Sequence, residues 1–293
     1  MVGEVALKAI QAREERFVAH AKKIWEHPET AYNEVSTCAV TAELLRELGF
    51  VVETGMYGMP TALRASWGSG EPTIGFLGEF DALPGLSQKV STRQEPVQEG
   101  APGEGCGHNL LCVAPLAAAY GLKEELRASS RPGTVVYYGC PAEEALTGKV
   151  FMARGGAFRE LDLAFSWHGA AKNCVMRGVM TGLNSAKFHF TGRTSHAGGA
   201  PENGRSALDA VELMNVGANY LREHVTMDNR IHYVITDGGM APNIVPDKAC
   251  VWYFVRALTR EAVEDTYRRL VLVAEGAAHM TETKVEIEFL GGC

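Results

Sequence analysis

Residues 133–144, GTVVYYGCPAEE, decide the fold class of this chain. The run from Val135 to Cys140 is almost entirely apolar, which is typical of a strand buried on both faces of a sheet. Two adjacent acids, Glu143 and Glu144, follow it at once, as expected where a buried strand meets a polar rim. The stretch therefore predicts a central strand in an α/β sheet.

Strand-like runs alternate with helical spacing over the first 182 residues. The predicted helices cover residues 5–26, 34–48 and 109–129 and a segment that follows PAEE to about residue 157; the predicted strands cover residues 50–54, 61–67, 73–80, 133–140 and 161–169. This alternation predicts an α/β domain with a mostly parallel sheet and helices on both faces.

The pattern changes in residues 183–291, which we expect to form an inserted α+β domain. A strand of period two is followed by a long amphipathic helix, two strands, a second helix and a last strand, KVEIEFL. The order βαββαβ predicts a split-βαβ sandwich. The first domain would then comprise residues 1–182 and resume at residues 292–293, so we expect it to be C-terminally truncated.

Composition and charge limit the class of protein. A length of 293 residues favours two domains, and a net charge of −7 argues against nucleic acid as a partner and suits a soluble, cytoplasmic protein. No apolar run approaches the roughly 20 residues of a membrane span. Seven irregularly spaced cysteines indicate reduced thiols rather than a disulfide framework.

Side chains that bind metals follow the predicted strands of the first domain, at the edge where α/β sheets bind ligands. Taken singly, each has an ordinary explanation: a buried thiol, an acid at a helix start, a hydrogen-bonded histidine. Together, carboxylates, imidazoles and a thiol favour a zinc-like or mixed transition-metal site, with one carboxylate free to move protons. The residues are Glu79, Asp81, Cys106, His108, Glu143, Glu144 and His168.

The stretch GEGCGHNLL, residues 103–111, admits two other chemistries. A redox cysteine would prefer a Cys-x-x-Cys pair, and the sequence has none. A phosphate-binding loop would need a different glycine spacing, and here an acid stands among the glycines. A metal site is the interpretation that remains.

Six stretches together resemble peptidase family M20, the aminoacylase and carboxypeptidase type of two-metal hydrolases, and within it the amidohydrolase branch. The resemblance runs from about residue 30 to the end. It implies a zinc-peptidase-like catalytic domain with an inserted lid and dimerisation domain, and so a homodimer through the lid or a heteromer with a related subunit. The stretches are GEFDALPGL, GEGCGHNLL, CPAEE, WHG, TGRTSHAGGAPENGRSALDAVELMNVG and APNIVPDKACVWYFVRA.

The resemblance also implies roles for single residues in the first domain. Glu143 would be the general base, and Asp81 would orient the site. Glu79 lies where relatives with a His-x-Asp motif carry a ligand histidine. The implied ligands of two divalent ions, such as zinc or manganese, are Cys106, His108, Glu144 and His168.

In the second domain, the resemblance implies that His196 reaches a partner's active site and stabilises the oxyanion. Asn243 and Arg256 match positions that bind the substrate carboxylate. The family's last ligand histidine lies beyond the end of this chain, so we expect an incomplete metal site.

The implied activity is metal-dependent hydrolysis of the amide bond of an N-acyl or N-aroyl amino acid, such as a p-aminobenzoyl-glutamate-like compound. A dipeptidase or an indole-acyl amino acid hydrolase of the same family is an alternative. An alternative of another class is a truncated, non-catalytic subunit that binds metal or mediates dimerisation.

Overall fold

The computed structural model describes residues 3–175 and 178–293. The chain forms two compact units, Met1–Asn173 (unit 1) and Cys174–Cys293 (unit 2). Within the described residues, no helix has both the length and the apolar character needed to cross a membrane.

Unit 1 contains a five-stranded sheet of order β1-β2-β4-β3-β5. Its elements are α1 (Glu4–Gln11), α2 (Glu14–Glu26), α3 (Val35–Glu47), β1 (Val51–Thr54), β2 (Leu63–Ser69), β3 (Thr73–Glu79), α4 (His108–Ser129), β4 (Gly133–Cys140), α5 (Gly148–Arg154) and β5 (Leu163–Phe165). The predicted α/β class is confirmed.

The sheet is mixed, so its parallel part is smaller than the mostly parallel sheet predicted from the sequence. Strand β3 runs parallel to β4 and to β5, whereas β2 is antiparallel to both β1 and β4. The connection from Thr54 to Leu63 is too short for the crossover of a dozen or more residues that parallel strands require. These two strands therefore pair as an antiparallel hairpin.

The central strand β4 is buried on both faces, as its apolar run predicts. Val135 and Tyr137 lie in one core cluster with side chains of α2, α3 and α4. Val136 and Tyr138 lie in a second cluster with Met152 of α5. Helices thus cover both faces of the sheet, which confirms this part of the prediction.

Two predicted helices differ from the observed ones. The segment 5–26 is divided into α1 and α2 by a turn at Ala12 and Arg13. The helix expected after PAEE begins only at Gly148, because Ala142 and Leu146 have positive φ angles of 52° and 57°. Those conformations are incompatible with a continuous right-handed helix.

Unit 2 has the predicted βαββαβ order and a four-stranded antiparallel sheet, β7-β8-β6-β9. One face of the sheet packs on both helices, where Phe188, Phe190 and Val251 from the strands meet Met214 and Leu270 from the helices. The elements are β6 (Gly182–Thr191), α6 (Ala207–Leu221), β7 (Arg230–Asp237), β8 (Lys248–Ala257), α7 (Arg260–Met280) and β9 (Lys284–Gly292).

The buried His20 makes the stability of unit 1 depend on pH. Its side chain is 3% exposed, and its Nε2 lies 3.1 Å from Thr41 Oγ1. Burial, with smaller contributions from Arg16 and Lys23, lowers the pKa of His20 to about 4. An unfolded chain binds this proton near pH 6.5, so the folded state loses stability as pH falls from that value towards the folded pKa.

Replacing His20 by glutamine is expected to remove this loss, which amounts to roughly 2–3 kcal/mol between pH 7 and pH 4.5. Urea unfolding of the wild type and the variant at both pH values measures the difference. The control is a His27→Gln variant, since His27 is exposed in the same unit. A His20→Gln variant that loses as much stability on acidification as the wild type would contradict the prediction.

Candidate metal centre

His108 occupies the centre of the site at the start of α4. Gly107, with φ 78° and ψ 28°, turns the chain into the helix, a conformation that glycine adopts at little cost. The His108 side chain is fully buried, with Nδ1 3.4 Å from Asp81 Oδ1 and Nε2 3.2 Å from Glu79 Oε2. Neither ring nitrogen completes a hydrogen bond to the described residues.

Asp81 fixes the segment that carries the two adjacent glutamates. Its Oδ1 accepts a hydrogen bond from the Glu143 amide and its Oδ2 accepts one from the Glu144 amide, each at 2.9 Å. Behind this segment, the fully buried Glu34 accepts a 2.8 Å hydrogen bond from the Ala142 amide. The segment that carries Glu143 and Glu144 is therefore held as a loop. The buried carboxylates of Asp81 and Glu34 accept the hydrogen bonds of its amides, which in a helix would be bonded within the helix.

Two groups of possible ligand atoms adjoin at His108. One comprises Cys106, His108 and Glu144, and the other comprises Glu79, His108 and Glu143; within each group the donor atoms lie within 4.8 Å of one another. From His108 Nε2, the distance is 3.7 Å to Glu143 Oε2 and 3.8 Å to Glu144 Oε1. Two nitrogen or oxygen ligands on one tetrahedral zinc ion are roughly 3.3 Å apart, so these separations are close to those of a coordination site.

His168 lies next to Cys106 on the exposed side of the site. Its Nδ1 is 2.9 Å from the Gly169 carbonyl oxygen, and its Nε2 is 3.2 Å from Cys106 Sγ. Because a carbonyl can only accept, Nδ1 is the donor in the first contact, and Nε2 is the nitrogen that faces the thiol. A backbone carbonyl that fixes the tautomer in this way is common behind metal-binding histidines.

Lys149 is a charged residue of the site that the sequence analysis missed. It lies at the start of α5, and its Nζ forms a short ion pair with Glu79 Oε1. No spacing rule links a lysine in this position to an acid at the end of β3. The contact arises because the loop held by Asp81 returns the chain to the sheet edge.

Asp81 and His108 influence each other's protonation. Burial alone would raise the pKa of Asp81, but its contact with His108 and the two amide hydrogen bonds lower it. Burial alone would lower the pKa of His108, but Asp81 and Glu79 raise it. A positive charge at this point is therefore stabilised by its surroundings.

The pKa values of two neighbouring groups, Cys106 and Glu143, are shifted in the direction that disfavours negative charge. Burial, followed by the nearby Glu144 carboxylate, raises the pKa of the Cys106 thiol to about 12. Burial and the charge of Glu79 raise the pKa of Glu143. The cluster thus holds more acidic groups than its single lysine can balance, and a cation would relieve the repulsion.

The residues present fit a divalent metal. Four buried donor atoms, on Glu79, His108 and Glu144, have no hydrogen-bond partner among the described residues. Unpartnered buried polar atoms cost free energy, and metal coordination is one way to recover it. Imidazole, carboxylate and thiolate are the ligand types of zinc and similar transition ions.

Of the predicted residues of unit 2, His196 and Asn243 lie in loops and Arg256 lies on β8. His196 and Asn243 are adjacent, since the Ala197 amide donates to the Asn243 carbonyl at 3.0 Å, and both side chains are exposed. Arg256 is half-buried on β8, with its guanidinium 5.8 Å from the centre of the Phe254 ring.

Comparisons with known proteins agree with the two-unit organisation. Residues 180–279 match the peptidase dimerisation domain. Over 287 residues the chain is 44% identical to one of the subunits of p-aminobenzoyl-glutamate hydrolase from Escherichia coli (strain K12), covering 97% of this chain and 60% of the relative. Over 296 residues it is 31% identical to Xaa-Arg dipeptidase of Mus musculus, covering 97% of this chain and 64% of the relative. The chain thus spans about three fifths of the length of these relatives.

A solved structure shares the fold. It is a dinuclear metal binding peptidase of the M20 family from Bacillus subtilis, with a TM-score of 0.67 and 20% sequence identity. The match covers 95% of this chain and 74% of the other.

Proposed function

Since this chain belongs to the M20 peptidase family, we propose that unit 1 contributes the metal centre of a metal-dependent amidohydrolase. The observation that carries the proposal is the arrangement around His108. The imidazole is fully buried, its two nitrogens have no hydrogen-bond partner among the described residues, and it belongs to both groups of possible ligand atoms. A structural histidine would normally be hydrogen-bonded, whereas a metal-binding one is completed by its ion.

The proposed ligands are Cys106, His108, Glu144 and His168, with zinc or manganese as the ions. Divalent ions held there would supply Lewis-acid polarisation of the scissile carbonyl and activation of water. Asp81 supports this set from behind, because it contacts His108 and receives the amide of Glu144.

Glu143 is the proposed general base. Its carboxylate is about one third exposed, so water and substrate can reach it, while its backbone is anchored to Asp81. In this role it takes a proton from the attacking water and delivers it to the leaving amine. Its raised pKa, caused by burial and by Glu79, suits a group that must both accept and release a proton.

Unit 2 would supply substrate contacts. Arg256 forms no ion pair with the described residues and stacks near Phe254, so its guanidinium remains available to a carboxylate of the substrate. Asn243 is proposed to share that carboxylate. The exposed His196 is proposed to stabilise the oxyanion of a partner subunit's reaction.

The proposed substrate is an N-acyl or N-aroyl amino acid resembling p-aminobenzoyl-glutamate, as the name of the Escherichia coli relative suggests. Because that relative is one subunit of its enzyme, a heteromer is proposed beside a homodimer through the domain matched at residues 180–279. A cytoplasmic location is also proposed, since all seven cysteines are free.

Amine release from a panel of substrates tests the function. The purified protein, supplied with zinc or manganese, is expected to hydrolyse p-aminobenzoyl-glutamate in preference to indole-acyl aspartate and an Xaa-Arg dipeptide. If the protein preferred the dipeptide or the indole compound, that compound would define the substrate class instead of p-aminobenzoyl-glutamate. Because the chain spans about three fifths of its relatives, metal binding without hydrolysis would favour a non-catalytic subunit. Absence of both would refute the proposal.

A further inference from the structure

Glu79 is held by one of its two carboxylate oxygens only. Oε1 forms the short ion pair with Lys149 Nζ. Oε2 is buried, lacks a hydrogen-bond partner among the described residues and lies 3.2 Å from His108 Nε2. The lysine thus fixes the carboxylate in one orientation and leaves its second oxygen directed at the imidazole.

A lysine–glutamate pair elsewhere in the same unit, which is buried on both sides, shows a different pattern. Lys123 Nζ contacts Glu124 Oε1 at 2.8 Å, and Arg127 contacts Glu124 Oε2 at 2.5 Å. Both oxygens of that carboxylate are therefore paired, as expected for an ion pair that only supports the fold. The unpaired oxygen of Glu79 distinguishes the Lys149 pair from such a structural pair.

The charge balance of the site gives an independent reason for a lysine here. Within reach of His108 Nε2 lie the carboxylates of Glu79, Glu143 and Glu144. A divalent cation bound to all three carboxylates would leave one negative charge in excess. Lys149 offsets one carboxylate charge through Glu79 Oε1, and so it leaves free the oxygen that faces His108.

We propose that Lys149 is a positioning residue that directs Glu79 Oε2 to act as a ligand of the ion held by His108. The inference rests on the proposed function, since it concerns the same metal centre. Glu143 keeps its role in proton transfer, and Lys149 acts only through Glu79.

A double-mutant cycle tests this dependence. Zinc affinity is measured by chelator competition for the wild type and for the Lys149→Met, Glu79→Gln and double variants. Each single change is expected to weaken binding by about 10- to 100-fold, the usual effect of removing a group that orients or completes a metal site. The double variant is expected to bind no more weakly than Glu79→Gln, because the two residues act as one unit. A Lys149→Arg variant should recover most of the affinity, since it restores the positive charge.

The matched control is Lys123→Met, which breaks the buried Lys123–Glu124 pair of unit 1. It is expected to lower the unfolding temperature without changing zinc affinity. Unchanged affinity in folded Lys149→Met or Glu79→Gln protein would overturn the inference, and so would additive losses in the double variant. If Lys149→Met does not fold, failure of Lys149→Arg to bind more tightly than Glu79→Gln overturns it. A wild type that binds no zinc would instead refute the proposed metal centre itself.

Discussion

Replacing Glu143 by glutamine is expected to lower kcat for amide hydrolysis by about two to four orders of magnitude, the usual contribution of a general acid–base group. Glutamine has nearly the same shape but cannot accept the proton of the attacking water. The backbone hydrogen bond from residue 143 to Asp81 is unaffected by the change, so the loop should keep its position.

Turnover of p-aminobenzoyl-glutamate and bound metal per chain are measured together for this variant. Metal content should remain that of the wild type, because the proposal gives Glu143 no ligand role. A suitable control is Glu99→Gln, an exposed acid in the long loop of the same unit. Turnover within a few-fold of the wild type would exclude Glu143 as the base, and loss of metal would indicate that it is a ligand instead.

Replacing His108 by alanine is expected to weaken metal binding by roughly 2–4 kcal/mol, or about 30- to 1,000-fold, which is one ligand's share of a typical zinc site. His108 belongs to both groups of donor atoms, so its removal takes one possible ligand from each group. The remaining carboxylates would also face one another without the imidazole between them.

Isothermal titration with zinc measures this effect, and thermal unfolding verifies that the variant is folded. His20→Ala provides the control, since it removes another buried histidine from unit 1 that contacts only Thr41 among the described hydrogen-bonding side chains. A folded His108→Ala protein with wild-type affinity would show that the ion, if any, binds elsewhere.

Much of the fold follows from patterns that depend on few contacts. The apolar run of β4 predicts burial on both faces of the strand. The order of strands and helices after residue 182, βαββαβ, predicts the fold of unit 2. Parallel pairing was predicted for more strands than show it, since β2 is antiparallel to both of its neighbours. Strand direction depends on the length of the connections and on which strands become neighbours. The turn at residues 142–146 could not be predicted either, since it is fixed by acceptors on Asp81 and Glu34 that are distant in sequence.

The proximity of Glu79 and Glu143 was foreseeable, because carboxyl ends of neighbouring parallel strands meet at one edge of a sheet. Lys149 was not foreseeable. Its position depends on where α5 begins, which in turn depends on the loop geometry set by Asp81. Sequence patterns thus located the acids at the strand ends and the Cys106 and His108 pair of the glycine-rich stretch, and missed the lysine whose position depends on the loop at residues 142–146.

The position of His108 at the beginning of α4 affects the rate at which a bound ion would exchange with solution. Leu111, Cys112 and Leu116 of this helix are at most 3% exposed, so the helix can open only with much of the core of unit 1. Glu143, in contrast, is about one third exposed, and His168 lies on the exposed side of the site. Ion exchange with solution should therefore take place through this exposed side, with a rate independent of the much slower global unfolding.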